Sequence, residues 1–205
     1  MARARPQLIS AKLAKLHPTQ VTVGLQEVAL KQAQWQKLKR TEREAALDNH
    51  WFPCVLGPEG RHYIVDHHHF GLALMHEEVK TVSLVLLKDL SFVEPDSFWT
   101  IMDFHQWVHP YDAKGIRRGY DKVPEHIGDL QDDPYRSLAG ALRRAGGFAK
   151  DVTPFSEFLW ADFFRTRIAS TELGAPFELV RKTALKLARS QAARYLPGWS
   201  GPIDA

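Results

Sequence analysis

The chain has 205 residues, 44% hydrophobic and 25% charged, the balance of an ordinary soluble globular protein with room for one large domain or a domain and an appendage. A single cysteine, Cys54, excludes an internal disulfide and a multi-thiolate metal site, and its apolar neighbours point to a small core residue rather than a nucleophile. The basic residues 1–6 lack the apolar segment of a secretory signal and no stretch has the length of a membrane-spanning helix, so a soluble cytoplasmic protein with no membrane partner is expected.

Six Trp and eleven Phe supply bulk for a core. The net charge of +3 is unevenly spread: residues 1–43 carry nine Lys/Arg against Glu27 and Glu42, and the remainder carries 18 basic against 22 acidic residues. A basic first third could face a nucleotide, a nucleic acid or an acidic partner. The simpler reading is a solvated helix surface, because Lys31, Lys37, Lys39, Arg40 and Arg43 fall in helical sequence.

Residues 12–16 alternate lysine with apolar side chains and predict a first strand. Residues 24–39 carry Leu25, Val28, Gln32, Trp35 and Leu38 at helical intervals, and residues 42–49 predict a second, short helix. Strands over residues 54–56 and 61–65 flank the turn Gly57-Pro58-Glu59-Gly60 and predict a hairpin. A helix headed by histidines follows, then a β-rich strand over 79–87. After Ser91 strand signals almost vanish. Pro95 opens a helix with Phe98, Trp99 and Met102; Asp133-Pro134 supplies an N-cap and a first-turn proline, closed by Gly146-Gly147. Thr153-Pro154 repeats the device, and Pro176 opens a last helix. The loop from His109 to Val123 is long, and loops of that length are commonly functional.

Chemistry concentrates at Asp66-His67-His68-His69, between strand and helix. Asp66 reads as the N-cap, with the imidazoles in a first turn where backbone N–H groups and the helix dipole favour anions. Capping alone explains a carboxylate there. It does not explain three histidines, which are mediocre helix formers and unfavourable near a positive end. Successive helical residues point about 100° apart, so one ion cannot take all three rings. Adjacent histidines also lack the i, i+4 spacing of two metal ligands on one helix face. His17, Glu27, His105 or His109 would have to complete such a site, and phosphate binding is the better expectation. Glu27 and Lys31 share a helix face four residues apart. They are either a surface ion pair worth about 0.3–0.5 kcal/mol or a general base beside a phosphate contact. Lys114, Arg117 and Arg118 are loop cations that would either be solvated or close over phosphate.

The order strand, helix, hairpin, polar motif at a helix start and strand resembles the ParB/sulfiredoxin superfamily, and specifically its ParB-like branch of putative nucleases. The resemblance rests on His17-Pro18-Thr19-Gln20, Val23-Gly24-Leu25-Gln26-Glu27-Val28, Val55-Leu56-Gly57-Pro58-Glu59-Gly60 and Ile64-Val65-Asp66-His67-His68-His69. It also includes Asp132-Asp133-Pro134-Tyr135-Arg136-Ser137-Leu138-Ala139-Gly140 and its continuation to Gly147, so it covers nearly the whole chain. It implies that nucleotide phosphates dock at the segment matching Asp66 to His69. Against the Asp-Gly-His-His-Arg motif of a serine-phosphorylating branch, this chain has His67 for the glycine and Phe70 for the arginine. Cys54 lies in a preceding strand, away from the motif, which speaks against sulfiredoxin chemistry; no clear helix-turn-helix follows the first domain.

The resulting expectation is an α+β fold: a small mixed sheet with helices over residues 1–92, and a mostly helical region over 93–205 packed against it. Asp66, His68 and Glu27 are the expected catalytic groups for phosphoester hydrolysis or phosphoryl transfer. His67, His68, His69, Lys31, Lys114 and Arg117 are the expected contacts to nucleotide or nucleic-acid phosphate. Mg2+ would arrive with the nucleotide, Asp66 or Glu27 supplying an oxygen ligand. The alternatives are a non-catalytic nucleotide- or DNA-binding module and a small-molecule kinase of the serine type. In either case the helical half would form a second pocket or the interface of a homo-oligomer.

Overall fold

The computed structural model describes residues 8–174 and 177–202. In chain order the elements are β1 (Leu8–Lys12), β2 (Leu16–His17), β3 (Thr22–Val23), α1 (Leu25–Gln36), α2 (Arg40–Asn49), β4 (Phe52–Leu56), β5 (His62–Ile64), α3 (His68–His76), β6 (Thr81–Asp89), α4 (Pro95–Phe104), β7 (Gln131–Asp132), α5 (Pro134–Arg144), α6 (Ser156–Arg165) and α7 (Phe177–Ala188). The fold is α+β. Its main sheet has five strands in the order β1-β6-β4-β5-β2. It is mixed: β1 on β6 and β4 on β5 run antiparallel, whereas β4 on β6 and β5 on β2 run parallel.

The predicted hairpin, with Cys54 opposite Ile64 and Leu56 opposite His62, is present. The first strand is not where alternation put it. Residues 8–12 form β1, and Leu13–Lys15 is a turn of 3-10 helix. Leu13 and Leu16 are both buried, and their spacing of three suits the three-residue period of that turn. The α4 and α5 starts lie at Pro95 and Pro134 as expected; Asp133 caps α5 by accepting the Tyr135 N–H at 3.0 Å. α6 begins at Ser156, two residues after Pro154, with Phe155 as a left-handed N-cap. The expected start of the last helix at Pro176 lies outside the described residues, and α7 is described from Phe177.

By packing, the chain divides into two compact units. Unit 1 comprises residues 1–21, 28–111 and 117–131, so α4 groups with the sheet and the expected boundary at residue 92 falls inside this unit. One of its cores joins Val55, Tyr63, Leu90, Phe98, Met102 and Val108. α3 lies close on β4: a Cβ at Gly71 would stand 3.2 Å from the Phe52 ring, so the glycine permits this approach.

Unit 2 comprises residues 22–27, 112–116 and 132–205. Its core centres on Leu138, Leu142, Trp160, Phe163, Phe164 and Ala184. The Phe148 and Trp160 rings stack at 4.1 Å, and the Trp160 Nε1–H donates to the Pro197 carbonyl at 2.8 Å. Ion pairs tie its helices: Glu157 takes Arg136 and Arg143, and Arg165 joins Asp133 and Asp162. Among the described residues no helix is long and apolar enough to cross a membrane.

Candidate functional site at the start of α3

Thr19 and His68 meet in the interior of unit 1. The Thr19 backbone N–H donates to His68 Nε2 at 3.1 Å, and the Thr19 hydroxyl donates to the Ile64 carbonyl at 2.9 Å. The Thr19 carbonyl in turn accepts the His109 N–H at 2.8 Å. Because Nε2 is the acceptor, neutral His68 carries its proton on Nδ1. Thr19 and His68 are only 1% and 4% exposed, so this imidazole is part of the frame that joins the end of β2 to α3.

The helix starts one residue later than the sequence suggests. His67, not Asp66, is the N-cap, and it sits in the left-handed region at φ 66. Asp66 is exposed, and its Oδ1 accepts the His67 N–H at 2.6 Å. The carboxylate therefore fixes the turn before the helix instead of capping its first turn. α3 has no side-chain cap hydrogen bond and no acid within its first turn, and the Asp66 carboxylate stands just ahead of its N-cap. His69, at the second helical position, is partly exposed, while His68 points inward, the divergence that helical geometry requires.

Residues distant in sequence gather beside this turn. The Lys31 Nζ stands 5.9 Å from the Phe70 ring centre, a cation–π arrangement. The His50 ring lies 5.5 Å from His67 and 5.0 Å from Phe70, and Phe52 stacks on Phe70 at 6.0 Å. Lys31 thus lies beside the last residue of this turn. His50 and Thr19 were not anticipated; each is an isolated polar residue in sequence, with no periodic signal to mark it.

The remaining candidates have other neighbours. Glu27, 8% exposed, belongs to unit 2, where both its oxygens accept from Arg144, with Oε1 at 2.6 Å from Nη2. Lys114 also belongs to unit 2, and its N–H donates to Asp112 Oδ1 at 2.9 Å. Arg117, in unit 1, is paired with Asp103, donates to the Tyr120 hydroxyl at 3.2 Å and lies over the Tyr120 ring. Among the described residues no group of three or more His, Cys, Asp or Glu side chains could hold a metal ion. Burial pushes the Cys54 thiol up to about 11, far from the range of a reactive thiolate.

Residues 9–166 match the protein-family model described as "Putative ParB-like nuclease". The chain is also similar to the crystal structure of protein Atu1540 from Agrobacterium tumefaciens, at 45% sequence identity and a TM-score of 0.89, covering 97% of this chain and 100% of that one. No curated protein matches.

Proposed function

Since the chain belongs to the putative ParB-like nuclease family, we propose that it binds the phosphate of a nucleotide or nucleic acid at the start of α3 and acts there in phosphoester hydrolysis or phosphoryl transfer. The observation that carries this reading is the convergence of Lys31 and His50 on the His67-to-Phe70 turn, at the start of a helix. A developing phosphate charge is stabilised by a cation and by helical N–H groups held in place beforehand. In this reading Lys31, His67 and His69 hold the phosphate, Asp66 fixes the turn that presents them, and His68 keeps β2 and α3 in register. Any Mg2+ would come with the nucleotide's own phosphates.

Calorimetric titration of inorganic phosphate, ADP and a short oligonucleotide, with and without magnesium, tests this. Lys31→Ala and His67→Ala should each weaken binding about 5-fold to 30-fold, in line with the loss of one charge-assisted contact of about 1–2 kcal/mol. Undiminished affinity in both variants, or no binding by the folded wild type, would refute the reading.

A second reading, a binding module without chemistry, is favoured by one specific observation. Glu27 and His68, the side chains best suited to proton transfer by type, are engaged by Arg144 and by the Thr19 N–H. Ligand recovered intact after prolonged incubation would support this alternative.

A further inference from the structure

A second group of polar side chains lies in unit 1 along the edge of the sheet. β2 is an edge strand, and its His17 is in parallel register with Tyr63 of β5. The His17 ring is 5.2 Å from the Tyr63 ring and 6.2 Å from the ring of His126, at an interplanar angle of 33°. Arg61 comes from the residue just before β5. It pairs with Glu59 at 2.6 Å and, more loosely, with Glu125 at 3.4 Å.

We propose that His17 and His126 are a general base and general acid for phosphodiester cleavage, with Arg61 neutralising the phosphoryl oxygens. Two imidazoles this close can each reach an oxygen of one phosphoryl group, and imidazole is the side chain that both takes and gives a proton near neutral pH. His17 is half-buried, and burial together with the nearby Arg61 charge holds it below the usual imidazole range, which keeps it in the proton-accepting form. His126 is exposed and open to proton exchange with water. The Arg61 side chain is 39% exposed and that of Glu125 61%. An exposed pair of that kind is worth about 0–1 kcal/mol, so phosphate can replace Glu125 as the guanidinium's partner.

The step balances without an added reactant other than water. His17 removes a proton from water as its oxygen forms a bond to phosphorus. The bond from phosphorus to the leaving oxygen breaks, and that oxygen takes a proton from His126. The products are a phosphomonoester and an alcohol, and the two histidines exchange their protons with solvent to reset. The pair shares with the proposed function only the class of reaction; it does not depend on phosphate binding at α3.

The test is cleavage of end-labelled single-stranded RNA and, in a separate arm, single-stranded DNA by the full chain. Expected is a bell-shaped pH–rate profile for the wild type. His17→Gln and His126→Gln should each lower kcat at least 100-fold and each abolish one limb of the bell. The double variant should be little worse than either single one, as for groups acting as a unit. Far-ultraviolet circular dichroism establishes that the variants are folded. Cleavage of RNA alone would assign a ribonucleotide substrate, and cleavage of both would assign any phosphodiester. No cleavage of either polymer, or rates within 3-fold of wild type in both single variants, would overturn the proposal. Lys31→Ala and His67→Ala, assayed alongside, separate the two sites. Loss of ligand affinity in those variants with unchanged dependence on His17 and His126 supports both. Affinity lost only there, with His17→Gln fully active, overturns this inference and leaves the α3 reading standing.

Discussion

The ring of His68 accepts a hydrogen bond from the backbone of Thr19, a residue 49 positions earlier in the chain. A buried backbone donor deprived of its acceptor costs about 1–3 kcal/mol. His68→Ala should therefore lower the urea midpoint by that cost plus the loss of packing. Nitrogen NMR of the imidazole should report Nδ1–H as the neutral tautomer. A ring proton on Nε2 would contradict the bond.

His67 holds a left-handed backbone, where a side chain costs about 1–2 kcal/mol relative to glycine. His67→Gly should leave the protein as stable as wild type or more so, by up to about 1 kcal/mol, while phosphate affinity falls. His67→Ala should lose affinity without that gain. Chemical denaturation and calorimetry on the same two variants check the contrast.

Gly140 lies in α5 against the Glu27 carboxylate, and a Cβ there would stand 2.6 Å from its Cδ. Alanine is the better helix former by about 1 kcal/mol, but an inserted methyl group in a filled site costs about 1–3 kcal/mol. Gly140→Ala should thus be neutral or destabilising, and less so in a Glu27→Ala background, where the obstructing carboxylate is gone. A double-mutant cycle by thermal unfolding measures the difference.

Cys54 is buried with its thiol raised from 9.0 to about 11. Native protein at pH 8 should resist alkylation by iodoacetamide, and unfolded protein should react. The linked stability has a definite sign. A group whose folded pKa is raised contributes fully below its unfolded value, and that contribution is lost as pH rises from 9.0 through about 11. Cys54→Ala should remove this part of the alkaline loss, measurable as a flatter dependence of the urea midpoint on pH in that window.

The hairpin and the helices begun by Pro95 and Asp133-Pro134 were legible because turn and capping residues act within a few positions. The strand of residues 8–12 was displaced to 12–16 because lysine alternation there resembles a strand, whereas burial of Leu13 and Leu16 requires a tighter turn. Asp66 reads in the sequence as the N-cap, but His67 takes that place, since a left-handed histidine leaves no pattern in sequence. Glu27 looked like a partner for Lys31 at helical spacing; the carboxylate is taken by Arg144, 117 residues away, a contact only the tertiary fold can make. The place of Lys31 on α1 is legible from helical spacing, whereas Thr19 stands in a family-like run that gives no sign of its bond to His68.

The two units are interleaved along the chain: the second takes residues 22–27, then 112–116, then everything from 132 onward. During synthesis, residues 22–27 leave the ribosome more than a hundred positions before the helix that will surround Glu27. The sheet unit cannot close until residue 131 has emerged. A cut at residue 92 would leave both units incomplete, whereas a cut at 131 would keep every segment of the sheet unit in one fragment and strip the second unit of residues 22–27 and 112–116. Only the second unit must wait for nearly the full polypeptide.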